Sequence, residues 1–337
     1  MIRFAVRRLL LAIPTLVGIT LVTFLIAHTL PENLVLVNLG DRATQDPATV
    51  AAFKRKWGLD QPLPIQYLTY VRNLSRGDLG VSIMTSRPVW QELLLSLPAT
   101  IELSGTAMLL AVPPAILLGI LAAARRRSAW DVLARLTSSI GLAVPTFWLA
   151  ILVLIAFYFQ LGWAKGPGRL DSGLTPPPTV TGMYTVDALL AGDLALFGNA
   201  LAHLILPAVV LALVSAAFIV RITRERMIEA LAQDFVRTAH AKGLSARVVT
   251  GRHALRNALI PIITVAGTLY AQLMAGTVLT ETIFSWPGLG RYAFSSAASL
   301  DFPAVLGVAL VVGVIYVLVN LTVDVLYGIV NPRIRFQ

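Results

Sequence analysis

Apolar residues in this chain gather in long, nearly uninterrupted runs, not in the short alternating stretches of a sheet protein. A helix that crosses a hydrocarbon core about 30 Å thick needs roughly 20 largely apolar residues. Six windows meet that test, at residues 9–30, 101–124, 136–161, 204–220, 259–279 and 303–330, the fourth being the shortest. Arg3, Arg7 and Arg8 precede the first window, as basic residues do in a signal peptide. Its apolar stretch is too long for the core of such a peptide, and no small-x-small cleavage pattern follows it. The pattern predicts an all-α integral membrane protein with about six transmembrane helices, the first of them uncleaved.

The longest stretch outside these windows, residues 31–98, carries helix punctuation of its own. Asp46-Pro47 supplies an N-cap acid followed by proline at the first helical position, Gly58 is a natural stop, and a second helix is expected over 64–73. Prolines recur inside the windows at Pro113-Pro114, Pro145 and Pro207, where neighbouring helices or a cavity must re-satisfy the backbone. Residues 162–200 are rich in glycine and proline and read as a long surface loop. The chain divides into residues 1–98, a first span with a helical loop; 99–330, a five-helix core that contains a loop at 224–257; and a tail at 331–337.

Composition then settles the solvent. Of 337 residues, 57% are hydrophobic and 13% charged, and the mean hydropathy is +0.77, whereas soluble domains carry about a quarter charged residues. The formal charge of +10 raises nucleic acid as a partner, but most of the 27 Lys and Arg residues fall at span ends on one side. They include Arg125, Arg126, Arg127, Arg221, Arg224, Arg226, Arg247, Arg252 and Arg256. Lys and Arg near span ends mark the cytoplasmic side, which predicts both termini in the cytoplasm and removes the case for nucleic acid. Cysteine is absent, so disulfides and thiolate metal sites are excluded. None of the four lysines follows a glycine, so there is no phosphate-binding loop of the Gly-Lys-Ser/Thr kind. No His-Glu-x-x-His or Gly-x-Ser-x-Gly pattern is present either. The chain is expected to be no enzyme, with no catalytic, metal or cofactor-binding residues.

The loop between the fourth and fifth windows is the most informative region. Met227, Leu231, Phe235 and Ala239 recur at every fourth position, with Ile228, Ala232 and Val236 beside them. That spacing predicts one amphipathic helix over 224–242. Gly243 is a natural residue just past a helix end, and Ser245 can cap a second helix that runs through Arg247, Arg252 and Arg256 towards Pro261. Helix, tight turn and helix between two spans suit the transfer of a push from a soluble partner to the membrane.

The run Phe235-Val236-Arg237-Thr238-Ala239-His240-Ala241-Lys242-Gly243-Leu244, followed by residues 252–261, resembles the coupling loop of binding-protein-dependent ABC importer permeases of the peptide and nickel branch. Residues 7–20, Glu281 to Arg291 and the ending 319–333 are similar too, so the resemblance covers nearly the whole chain and is strongest to dipeptide permeases. The family pattern Glu-Ala-Ala, three residues, Gly falls on Arg237, Thr238, Ala239 and Gly243. The glutamate is missing, so no acid-mediated contact is inferred at position 237. The resemblance implies a type I ABC importer permease fold in a bacterial inner membrane, with Phe235, Arg237, Thr238, Ala239, Ala241, Lys242, Gly243 and Leu244 forming the ATPase-coupling loop. It also implies a second homologous permease, two ABC ATPase subunits that bind ATP and Mg, an extracytoplasmic substrate-binding protein and membrane lipid as partners. Dipeptides or short oligopeptides are the implied substrate. Nickel, glutathione or another small solute stays open, as does a scaffold that transports nothing.

Residues 281–301 join the last two spans, and Pro287, Gly288 and Gly290 suggest a tight re-entrant bend. With Glu281 and Trp286 it is a candidate outer gate or binding-protein contact, a plain structural turn being the alternative. Tyr270 and Gln272 are polar candidates for lining a path. Asp324, one turn after Asn320, is expected to serve helix packing, Glu102 to sit at the membrane interface, and Trp90, Trp130 and Trp163 to form an aromatic belt.

Overall fold

The computed structural model describes residues 2–27, 46–56 and 60–330. The expected stop at Gly58 and the tail 331–337 lie outside the described residues. The first helix, α1 (Ile2–Ala27), is apolar from Leu10 to Ile26. Two short helices follow, α2 (Pro47–Lys56) and α3 (Leu63–Leu74), the latter within one residue of its predicted bounds. The Asp46 carboxylate accepts from the N–H groups of Ala48 and Thr49 at 3.0 and 3.3 Å, the capping its sequence position promised. α3 folds back on α1, where the Tyr67 and Thr20 hydroxyls meet at 3.2 Å and Phe24 sets its ring edgewise to Tyr67.

The core begins with α4 (Val89–Ala124). Its 36 residues at 1.5 Å each make a rod about 54 Å long, well beyond the hydrocarbon thickness. The third window is not one straight span. It is divided into α5 (Ala129–Ala143) and α6 (Thr146–Gln160), which meet at 99°. Pro145 has no N–H to continue the ladder, and its ring forces the preceding residue into extended backbone, where Val144 sits at φ −83°, ψ 123°. The prolines at 113, 114 and 207 stay inside continuous helices. Those helices are α4 and, after the short α7 (Tyr184–Leu190), α8 (Leu194–Leu231), and each is the other's main packing partner.

Small residues make that approach close. A Cβ on Gly119 of α4 would stand 2.6 Å from the Thr223 Cβ on α8, and Ala107, Ala115, Ala122 and Ala208 are buried along the seam. Within lipid no hydrophobic force favours helix pairing, so close backbone contact between small residues supplies the attraction. The remaining elements are α9 (Asp234–Ala241), α10 (Ala246–Met274), α11 (Val278–Ile283), α12 (Leu289–Ala298) and α13 (Phe302–Val330). α13 packs on α10 and on α1, and Arg8 pairs with Asp324 at 3.1 Å, which gives Asp324 the packing role expected of it.

The glycine- and proline-rich stretch 162–200 is more than a surface loop. It contains α7 and the start of α8, and Arg169 from it is buried against Glu102 of α4 at 2.6 Å. Glu102 is buried among protein groups: its other oxygen accepts from the N–H and hydroxyl of Thr185, and the Arg169 guanidinium also lies 3.5 Å over the Tyr184 ring. A buried carboxylate is tolerable only when paired and hydrogen-bonded in this way.

Candidate coupling elbow and translocation groove

The stripe over 224–242 does not form one helix. α8 ends at Leu231, Ala232 and Gln233 turn the chain, and α9 begins afresh at Asp234. The break shifts the buried face. Val236 and Ala239, three residues apart, pack on Val249, while Phe235 is exposed in a cleft with Arg226, Gln233, Asn257 and Pro261. Sequence periodicity alone could not register this change of phase, because both phases present an apolar residue at each turn.

The end of α9 matches expectation closely. Gly243 has φ +78°, a left-handed conformation that glycine adopts without strain. Its N–H donates to the His240 carbonyl at 2.9 Å, and the Leu244 N–H reaches back to the Ala239 carbonyl at 3.3 Å, the two bonds of a Schellman stop. Ser245 occupies the N-cap of α10 without a side-chain capping bond, contrary to its expected role. The following residues Val249–Ala254 wind as a π-helical turn, a local widening that often marks functional sites. Of the sequence-proposed elbow residues, Ala239 is buried, whereas Phe235, Arg237, Thr238, Ala241, Lys242, Gly243 and Leu244 are exposed. Beside the elbow the Arg224 Nε donates to the buried Asp131 at 2.6 Å, tying α5 to the lower part of α8.

A groove of about 460 Å³ opens at the break between α5 and α6. Thr146 and Phe147 enter it from the break, Ser215 and Phe218 from α8, Gln272 from α10, and Gly276 to Thr280 from the start of the re-entrant segment. Every lining side chain is uncharged. Of the two polar candidates of this helix, Gln272 lines the groove, while Tyr270 packs against the hydrophobic core.

The segment from Gly276 to Arg291 is a buried knot. Glu281 is fully buried, and its carboxylate accepts from the Arg291 N–H at 2.9 Å and the Thr100 hydroxyl at 3.1 Å. The Thr100 oxygen accepts in turn from the Leu289 N–H at 2.7 Å, and the Trp286 Nε1 donates to the Ala99 carbonyl at 2.8 Å. Gly276, at φ +102°, presses on Gly290, where a Cβ would come within 2.4 Å of the Gly290 Cα. Gly288 is buried against the Glu281 carboxylate, and Pro287 stays exposed. Nearby, Gly168 donates its N–H to the Phe284 carbonyl at 2.8 Å, and His203 lies between the Gly166 carbonyl and Asp171, at 2.9 and 3.2 Å. Lys165 foremost, then Asn199, hold the Asp171 carboxyl down at about 2. Sequence reasoning missed Thr100, Arg169, Asp131 and His203, because no local spacing connects residues that meet only across helices.

Residues 115–336 match the family described as binding-protein-dependent transport system inner membrane component, and residues 1–104 match the N-terminal family of the same systems. The chain is 48% identical over 317 residues to a probable D,D-dipeptide transport system permease protein of Escherichia coli (strain K12), covering 94% of this chain and 93% of the relative. It is 46% identical to a di/tripeptide transport system permease protein of Pseudomonas aeruginosa (strain UCBPP-PA14) over 337 residues and the full length of both. A dipeptide transport system permease protein of Escherichia coli (strain K12) is 42% identical, again over the full length of both. The chain belongs to the family of binding-protein-dependent transport system inner membrane components.

Proposed function

We propose that this chain is the permease subunit of an ATP-driven importer of dipeptides and short oligopeptides. The elbow carries the reading: a short amphipathic helix, α9, clamped on α10 by Val236 and Ala239 and closed by a left-handed Gly243, with its remaining face exposed between two long spans. Such a device transmits displacement because α9 and the π-helical turn of α10 are packed together as one piece. ATP chemistry then belongs to two partner ATPases that dock on Phe235, Arg237, Thr238, Ala241, Lys242 and Leu244. A second, homologous permease completes the path, and a substrate-binding protein delivers cargo on the opposite side. The basic residues at the elbow end support an elbow, and both termini, on the cytoplasmic side.

The uncharged groove supports peptide cargo. A wall of hydroxyl, amide and apolar groups passes zwitterions of varied side chain without trapping them, whereas a bare divalent cation calls for carboxylate or imidazole ligands. Gln272 and the hydroxyls of Thr146 and Ser215 are proposed to line the path, and the exposed Pro287 is the part of the re-entrant turn that can face a binding protein. The test is purification of the complex followed by reconstitution. Two ATPases and a second permease should co-purify, and ATP hydrolysis should rise with dipeptide-loaded binding protein. Uptake of nickel in place of di- and tripeptides would overturn the substrate, and absence of any uptake would leave a scaffold.

A further inference from the structure

α11 is one wall of the groove: Val278, Leu279 and Thr280 line it, and the next residue, Glu281, points away into the protein. That carboxylate is fully buried, and among the described residues no cation pairs with it. It is held by directional hydrogen bonds from the Thr100 hydroxyl of α4 and from the first turn of α12, with the Arg291 charge acting on it from beyond ion-pair distance. Burying an unpaired carboxylate is costly, and an apolar side chain would fill a merely structural corner at lower cost. What hydrogen bonds add is an attachment that releases as a unit. Thr100 is the shared member, donating to Glu281 and accepting from the Leu289 N–H.

We propose that Glu281 is a positioning residue for transport, and that its clasp with Thr100 holds α11 in place as the closing wall of the groove. The proposal rests on the groove being the path. α4 makes the clasp a point where movement arrives. The same helix that carries Thr100 packs through Gly119 on Thr223 of α8, beside the Arg224 tie and one span-end away from the elbow. A shift of α8 at the elbow therefore reaches the clasp through one continuous helix. Opening breaks the Thr100 bonds and frees α11; closing re-forms them.

The experiment uses the whole reconstituted complex in vesicles loaded with a labelled dipeptide, without ATP. Thr100→Val removes the hydroxyl and keeps the shape, leaving Glu281 and the Leu289 N–H each short of a partner. Loss of buried hydrogen bonding of this kind shifts an open–closed balance by about tenfold, so ATP-independent leak should rise about tenfold. Thr100→Ser restores the hydroxyl and should restore tight vesicles. A mere loss of structure would lower assembly and coupled uptake without opening a leak. Because the chain has no cysteine, Gln272→Cys gives this chain a single thiol whose labelling is read on the separated subunit, and dipeptide should protect it if the groove is the path. A tight Thr100→Val complex with protected Gln272→Cys overturns the clasp alone. A leaking Thr100→Val with unprotected Gln272→Cys overturns the path reading, and with it the proposal that the clasp closes this groove, while a seal at Thr100 remains. A tight complex with an unprotected thiol overturns both.

Discussion

At the elbow, Asp234 pairs with Arg237 three residues away on an open surface; at the re-entrant knot, Glu281 reaches Thr100 from 181 positions along the chain with no exposed surface at all. Both regions join two long spans and both turn on a left-handed glycine, Gly243 at φ +78° and Gly276 at φ +102°. A Cβ on Gly243 would meet nothing within 4 Å, whereas one on Gly276 would meet the backbone of Gly290. The elbow is thus a local structure left exposed, and the knot is a tertiary structure closed to its surroundings. Interactions on the exposed elbow are built from neighbours in sequence. Interactions that must hold a wall in a membrane are built from groups hidden from both water and lipid.

The contrast predicts a graded series of effects. The largest is expected on the buried side. Arg169→Met leaves Glu102 buried without its cation, and breaking a buried pair costs about 3–5 kcal/mol. The purified complex should unfold at a clearly lower temperature, while thiol labelling of Lys242→Cys at the elbow is the same with and without the Arg169 substitution. An unchanged melting temperature would break the comparison.

Next comes Gly243→Val. Nothing obstructs the side chain, so the whole effect is the left-handed backbone, about 1–2 kcal/mol for a residue with a Cβ. Membrane insertion should survive and peptide uptake should fall to background. Gly243→Asn, which tolerates this conformation, should retain uptake. Normal uptake by the valine variant would remove the coupling role.

A smaller effect follows from acid. The Asp171 carboxyl is held at about 2, below its ordinary 3.8, chiefly by Lys165 and then by Asn199 and His203. A depressed carboxyl stabilises the fold fully above its unfolded pKa and loses that contribution as pH falls towards its folded one. Fluorescence of Trp163 should be flat from neutral pH down to about 4 and change between about 4 and 2. A change centred near neutral pH would count against the Asp171 cluster.

The smallest effect belongs to Arg237→Ala. Its pair with Asp234 is at 3.4 Å and almost wholly exposed, so stability should stay within about 0.5 kcal/mol, and any loss of uptake would report docking alone. A large fall in melting temperature there would erase the distinction between the two regions.

How far the chain could be read before its fold was known follows the same division. Among the described residues four of the windows fall on helices long and apolar enough to cross a membrane, the third falls on a bent pair and the first on the shorter apolar stretch Leu10–Ile26, because span length is set by bilayer thickness and needs no partner. The caps at Asp46 and Gly243 were legible because a cap involves residues only a few positions apart. The third span's break was announced by Pro145, yet Pro113, Pro114 and Pro207 carry the same signal and break nothing. The phase shift in α9 was hidden, since Phe235 and Val236 are both apolar and only the position of Val249 decides which is buried.

By itself, then, the sequence determined the solvent, the helical class, the glycine turn at 243 and the absence of cysteine chemistry, all of which depend on composition or on neighbours along the chain. Only the tertiary structure decided that Glu102 meets Arg169, that Arg224 meets Asp131 and that Glu281 meets Thr100. A carboxylate in a sequence is equally consistent with water, a lipid headgroup or a buried donor. Which of these it meets depends on how helices far apart in the chain pack side by side.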